Sequence, residues 1–237
     1  MSEHSKTVGV LGGMGPDATV DFMAKVIALT PANSDQEHVH MLVDHNPKVP
    51  DRQTAILDGG EDPGPYLAAM AVRLETAGAD FLVIPCNTAY VFKDAVESAT
   101  SIPLISIIDV TVATALEQGA ASAGVLATDG CLKARVFQVA LEKAGIESVL
   151  PSDYELAKLM TLVNRIKAGY QGESIARDMA TLATALVDRG AQSVIAGCTE
   201  IPLVLNAAAV DVPLISSTDV LAQQTVALAR GDIALPK

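Results

Sequence analysis

The chain of 237 residues is long enough for one large domain or two small ones with an ample core. Half of it is apolar but only 3% is aromatic, a supply of small aliphatic side chains that suits a close-packed α/β interior. Its formal net charge of −12 argues against nucleic-acid binding, because no basic stripe exists to displace counterions, and an anionic ligand must rely on locally placed Arg or Lys.

The opening stretch MSEHSKT is polar and leads straight into a strand, so no signal segment is expected. No apolar run approaches membrane-spanning length, and three widely separated cysteines suggest free thiols rather than a disulfide framework. Both observations point to a cytoplasmic protein without membrane contact. No metal site is expected, since CxxC is absent and His4, His38, His40 and His45 lie far from two of the cysteines, Cys86 and Cys198.

In chain order, Thr7–Leu11 reads as a strand followed by the turn GGMGP, with Pro16 opening a helix whose apolar positions run over 18–29. Val39–Asp44 is a second strand, and HNPKVPDR is a loop stiffened by two prolines that carries Lys48 and Arg52. A helix over about 65–77 and the buried strand Phe81–Pro85 follow, with Asn87 or Thr88 capping the next helix. Ile102–Ile107 is a strand and 109–118 a helix. The alternation then repeats: strand Ala123–Ala127, helix Leu132–Ala144 closed by Gly145, a short strand near 147–150, and helices over Tyr154–Lys167 and Glu173–Asp188. Strands at Ser193–Ala196 and Leu214–Ser216 and a helix over about 218–229 complete it.

Two stretches organise this pattern, PCNT at 85–88 and GCTE at 197–200. Each sets a cysteine after an apolar run, and Gly78-Ala79 stands as far before Cys86 as Gly190-Ala191 before Cys198. VGVLGGMG pairs with AGVLATDG, and IPLISIIDVTVATA with VPLISSTDVLAQQT, in one order. This is an internal duplication in which each half supplies one cysteine to a shared site. Alternating strands and helices imply parallel-rich, doubly wound sheets, with ligands beyond the carboxyl ends of the strands, where both cysteines fall. The halves are expected at 1–107 plus 217–237 and at 108–216.

Two thiols facing each other suit the movement of a proton between the two faces of one carbon. One acts as thiolate base and the other as thiol acid, and a helix N-terminus after each would raise the thiolate fraction. Asn87, Thr88 and Thr199, next to the cysteines, are placed to stabilise a carbanion-like transition state, or simply to cap helices. Cys131 reads as a small buried hydrophobe beyond the Gly130 turn, and Lys48 as a surface charge.

VLGGMGP, PCNTA and GCTEIPL, in this order and spacing, resemble the cofactor-independent aspartate/glutamate racemase family, most of all its aspartate racemase branch. The likeness covers nearly the whole chain. Glu200 fits that branch, since glutamate racemases usually place histidine there. The resemblance implies two pseudo-symmetric α/β domains with the site in the inter-domain cleft. It implies no pyridoxal phosphate and no metal, Cys86 and Cys198 as acid/base residues, a small acidic amino-acid substrate, and a homodimer. It further implies substrate contacts from Arg52 in KVPDRQ, Lys167 in NRIKAG, and Met14 and Gly15 in the first turn, with Asn87, Thr88 and Thr199. The family usually reads CNTAH, so Tyr90 replaces a histidine that would tune Cys86, and Glu200 is a second tuning candidate.

Alternatives are a glutamate or broad-specificity racemase, or a maleate-isomerase-like enzyme using a thiol as nucleophile. A catalytically silent binding protein is another. A dinucleotide site at Gly13-Met14-Gly15-Pro16-Asp17-Ala18 with Asp44 is a weaker one, because Pro16 lacks an amide that pyrophosphate would use.

Overall fold

The computed structural model describes residues 5–236; His4 and the start of the polar N-terminal stretch lie outside the described residues. Two compact units divide the chain, one running to Ile107 and resuming at Thr218, the other comprising Ile108–Ser217. The chain changes unit at the first residues of two helices.

The first unit contains β1 (Val8–Gly12), α1 (Pro16–Leu29), β2 (Met41–His45), α2 (Arg52–Leu57), α3 (Gly64–Thr76), β3 (Phe81–Val83), α4 (Lys93–Glu97) and β4 (Leu104–Ile105). Its four strands are all parallel, in the order β2-β1-β3-β4. The second unit contains α5 (Ile107–Glu117), β5 (Ser122–Leu126), α6 (Asp129–Lys133), α7 (Val136–Lys143), β6 (Glu147–Val149), α8 (Asp153–Lys167), α9 (Glu173–Asp188), β7 (Ser193–Ala196) and β8 (Leu214–Ser216). Its sheet is again parallel, in the order β6-β5-β7-β8. Finally α10 (Ser217–Arg230) returns to the first unit, where Lys6 N–H donates to the Ala229 carbonyl and Asp219 pairs with Lys25.

In each sheet the winding reverses beside the first strand, so β1 and β3, or β5 and β7, flank a switch point. Loops leaving adjacent strands in opposite directions open a crevice there. The sheet order therefore brings the turn after Gly12 next to the loop of Cys86, and the segment after Leu126 next to the loop of Cys198.

The duplication reaches individual contacts. Gly78 and Gly190 close α3 and α9 with φ of 98° and 97°, a backbone that only glycine adopts cheaply. Gly78 N–H donates to Glu75 and Ala79 N–H to Leu74; Gly190 donates to Val187 and Ala191 to Leu186. Both are Schellman caps, and each delivers the chain into the strand that precedes a cysteine. Gly9 and Gly124 sit at matching places under those helices. A Cβ at Gly9 would lie 3.1 Å from Leu74 Cβ, and one at Gly124 would lie 2.9 Å from Leu186 Cβ. Both halves thus use a glycine so that helix and strand approach closely.

Four local expectations need correction. Arg52 does not lie in a loop but opens α2, which Asp51 caps by accepting from Thr54 N–H at 2.8 Å. The segment after Cys86 is a 3₁₀ turn, Thr88–Phe92, running into the five-residue α4, rather than one helix. The helix expected over 132–144 is two, because Arg135 takes a left-handed φ of 57°. The Leu132 carbonyl, which a continuous helix would offer to Val136, accepts instead from Arg135 N–H and Gln138 Nε2. Gly130 and Cys131 consequently lie inside α6 rather than at a turn. The strand expected over 102–107 shrinks to Leu104–Ile105, since Pro103 has no N–H for a ladder and α5 begins at Ile107.

Candidate functional site

Cys86 stands three residues beyond the end of β3, buried, with its N–H donating to the Ile84 carbonyl at 2.8 Å. That sharp bend turns the chain off the sheet into the 3₁₀ turn. Asn87 and Thr88 are buried beside it. Asn87 makes no side-chain capping bond, so capping does not account for it. Gln53 Nε2 reaches Thr88 Oγ1 at 3.5 Å and ties the helix of Arg52 to the Cys86 loop. Gln53 is a contact that sequence reasoning misses, although it adjoins Arg52 in the DRQ run.

Arg52 is half-buried, and its Nη1 donates to the Pro50 carbonyl at 3.1 Å and the Val49 carbonyl at 3.4 Å. Its Nε is buried with no acceptor. A planar guanidinium with a donor still unmatched has the chemistry to pair with a carboxylate. Lys48, by contrast, is exposed.

Met14 and Gly15 are buried in the turn after β1. Thr19 organises this turn: its Oγ1 accepts from Gly13 N–H at 2.8 Å and donates to the Gly15 carbonyl at 2.9 Å. The Gly13 amide is therefore engaged within the chain, and Asp44 accepts from Arg73 Nε at 2.9 Å. The two groups that a dinucleotide would need here already have partners. Tyr90 is buried and its hydroxyl donates to the Ile105 carbonyl, fastening the turn after Cys86 to β4.

In the second unit Cys198 follows β7 by two residues. Gly197 N–H donates to the Leu126 carbonyl at the end of β5, and Cys198 O accepts from Ile201 N–H. A Cβ at Gly197 would lie 2.7 Å from the Phe137 ring, so this bend is packed shut on one side. Thr199 and Glu200 are both buried. The Cys198 thiol donates to Glu200 Oε2 at 2.9 Å. The structure overturns the expectation of a helix dipole favouring the Cys198 thiolate: only the short 3₁₀ turn Ile201–Leu203 follows. Burial above all, then the Glu200 carboxylate, push the thiol well up, while the Lys167 ammonium at the end of α8 opposes them. Lys167 is thus brought within electrostatic reach of Cys198.

Cys131 is fully buried in α6, as a small hydrophobe would be. Among the described residues no group of three His, Cys, Asp or Glu side chains could hold a metal ion, and no helix is long and apolar enough to cross a membrane.

The family model described as Asp/Glu/Hydantoin racemase matches residues 11–225. Over 239 residues, 92% of this chain and 96% of the relative, the sequence is 29% identical to the broad specificity amino-acid racemase RacX of Bacillus subtilis. The fold superposes on an aspartate racemase of Picrophilus torridus with a TM-score of 0.83 at 24% identity, covering 95% of this chain and 94% of the other. A glutamate racemase of Francisella tularensis superposes with a TM-score of 0.67 at 18% identity, covering 98% and 85%.

Proposed function

This chain belongs to the Asp/Glu/hydantoin racemase family and is an isomerase, and on that premise we propose that it interconverts L- and D-aspartate through Cys86 and Cys198. The observation that carries the reading is the repeated local geometry. In each unit a Schellman-capped helix leads into the strand beside the switch point, and a buried cysteine stands just past that strand's carboxyl end. One thiolate removes the α-proton and the other thiol delivers a proton to the opposite face, after which their states are exchanged. Each thiol serves as base for one enantiomer and as acid for the other.

The α-proton is a very weak acid, so the site must stabilise the charge that develops as it leaves. Asn87, Thr88 and Thr199, with the backbone at Met14 and Gly15, are assigned that work. Arg52 and Lys167 are assigned the substrate carboxylates, one as a fork and the other as a point charge. Because the protein is acidic overall, these local cations offset its repulsion of an anionic substrate. The resemblance also brings a homodimer into the reading.

A broader substrate range is the second reading, supported by the broad-specificity relative that matches along 92% of this chain. Incubating the purified protein with single enantiomers of a panel of amino acids, without added cofactor, and separating the products by chiral chromatography decides between them. Aspartate should racemise fastest. Equal rates across neutral and acidic side chains would establish the broader reading, and no racemisation of any member would overturn both.

A further inference from the structure

We infer that Glu200 is a positioning residue that keeps Cys198 protonated in the resting enzyme, so that Cys198 begins turnover as the acid and Cys86 as the base. The inference rests on the two-cysteine reading and adds to it an order between two otherwise equivalent thiols. Its basis is a contact that has no counterpart at Cys86 among the described residues: a buried thiol donating to a buried carboxylate two residues along the same loop, at 2.9 Å.

A carboxylate at this distance accepts the S–H hydrogen bond and repels a thiolate. In a water-poor site both effects favour the protonated sulfur. Cys198 belongs to an apolar cluster of the second unit that also holds Ile201, Leu205 and Leu126, and burial there raises the thiol, while a hydrogen bond from the Glu200 backbone opposes this in part. Two charged groups act on this sulfur, Glu200 from its own loop and Lys167 from the end of α8, and they act in opposite senses. A substrate carboxylate that occupied Lys167 would reduce its pull and leave Glu200 the stronger influence.

Of the two singly protonated forms, the one with Cys198 protonated is then favoured, and it is the form that meets the enantiomer whose α-proton Cys86 removes. The equilibrium constant of a racemisation is one, so kcat/KM must be equal in the two directions. The bias shows as a lower KM, with an equally lower kcat, for the enantiomer that the resting form accepts.

The protonation of Cys198 can be measured apart from turnover. In a Cys86→Ala, Cys131→Ala background Cys198 is the only thiol, and its carboxamidomethylation by iodoacetamide is followed against pH by mass spectrometry. Glu200→Gln replaces the repelling acceptor with a neutral amide that can donate to sulfur. It should move the rise in alkylation to lower pH and increase the neutral-pH rate about tenfold or more, the equivalent of one unit of thiol acidity. Glu200→Asp should fall between, and Lys167→Met, which leaves Glu200 unopposed, should move the rise to higher pH. In the enzyme with all cysteines present, Glu200→Gln should bring the KM values of the two enantiomers closer together. An unchanged or alkaline-shifted alkylation profile in Glu200→Gln overturns the inference. Retained racemisation in Cys198→Ala would instead overturn the two-cysteine reading and leave the alkylation result standing.

Discussion

If Arg52 binds a substrate carboxylate as proposed, replacing it by alanine should remove that charge-assisted contact while leaving the fold in place. In the free protein its Nη1 serves the Pro50 and Val49 carbonyls and its Nε is buried without an acceptor. The lost loop bonds are to neutral carbonyls in a half-buried segment, and they should cost about 1 kcal/mol of stability. The lost substrate contact is larger, on the order of 2–4 kcal/mol for a hydrogen-bonded charge in a closed site. That corresponds to a fall of about 30- to 1,000-fold in kcat/KM for aspartate. Arg52→Lys keeps the charge but cannot hold both loop carbonyls and present a fork, so it should fall between the two. Racemisation rates for both enantiomers, measured beside urea unfolding, separate the two effects. An alanine variant with unchanged kcat/KM for aspartate would refute a substrate role for Arg52, whatever its stability.

Tyr90→Phe should destabilise the protein by about 1–3 kcal/mol in urea, because it leaves the Ile105 carbonyl without its phenol donor, and should change kcat/KM little. A large loss of turnover at unchanged stability would return Tyr90 to the chemistry. Glu155 tests the electrostatics: hydrogen bonds from Arg189 hold its carboxyl down at about 2, against an ordinary 4.5. Its folded-state value is depressed, so its contribution is full above pH 4.5 and is lost as pH falls towards 2. Arg189 is 40% exposed, so screening reduces that contribution to about 1 kcal/mol. Arg189→Gln should lose that amount at neutral pH and flatten the acid limb of the stability curve, an effect absent if the pair contributes nothing. Gly124→Ala places a Cβ 2.9 Å from Leu186 Cβ and 3.2 Å from Ala191 Cβ. It should cost about 1–3 kcal/mol by overpacking, and a neutral result would show that α9 shifts freely.

The sequence is most readable where one physical requirement leaves one residue type. Gly78 and Gly190 mark the helix caps because their φ is positive, and the apolar runs before each cysteine mark strands buried on both faces. The six-residue α2 has too few residues to display a helical period, and its one signal is Asp51 ahead of Thr54. The break at Arg135 is hidden because a charged residue rarely takes the left-handed region. The resemblance marks Glu200, but the direction of its effect on Cys198 requires the 2.9 Å distance and the burial of both groups. Lys167 is thirty-one residues from Cys198 in sequence, and only the fold of the second unit brings its charge to bear.

The central claim is that two different thiols work on opposite faces of one carbon, and racemisation of L-aspartate in deuterium oxide tests it most directly. At early times the D-aspartate formed should carry one solvent deuterium at the α-carbon while the recovered L-aspartate carries almost none. Cys86→Ala and Cys198→Ala should each abolish the reaction with the fold intact. Deuterium entering recovered substrate and product at the same early rate, or turnover at the wild-type rate in either alanine variant, would contradict the account.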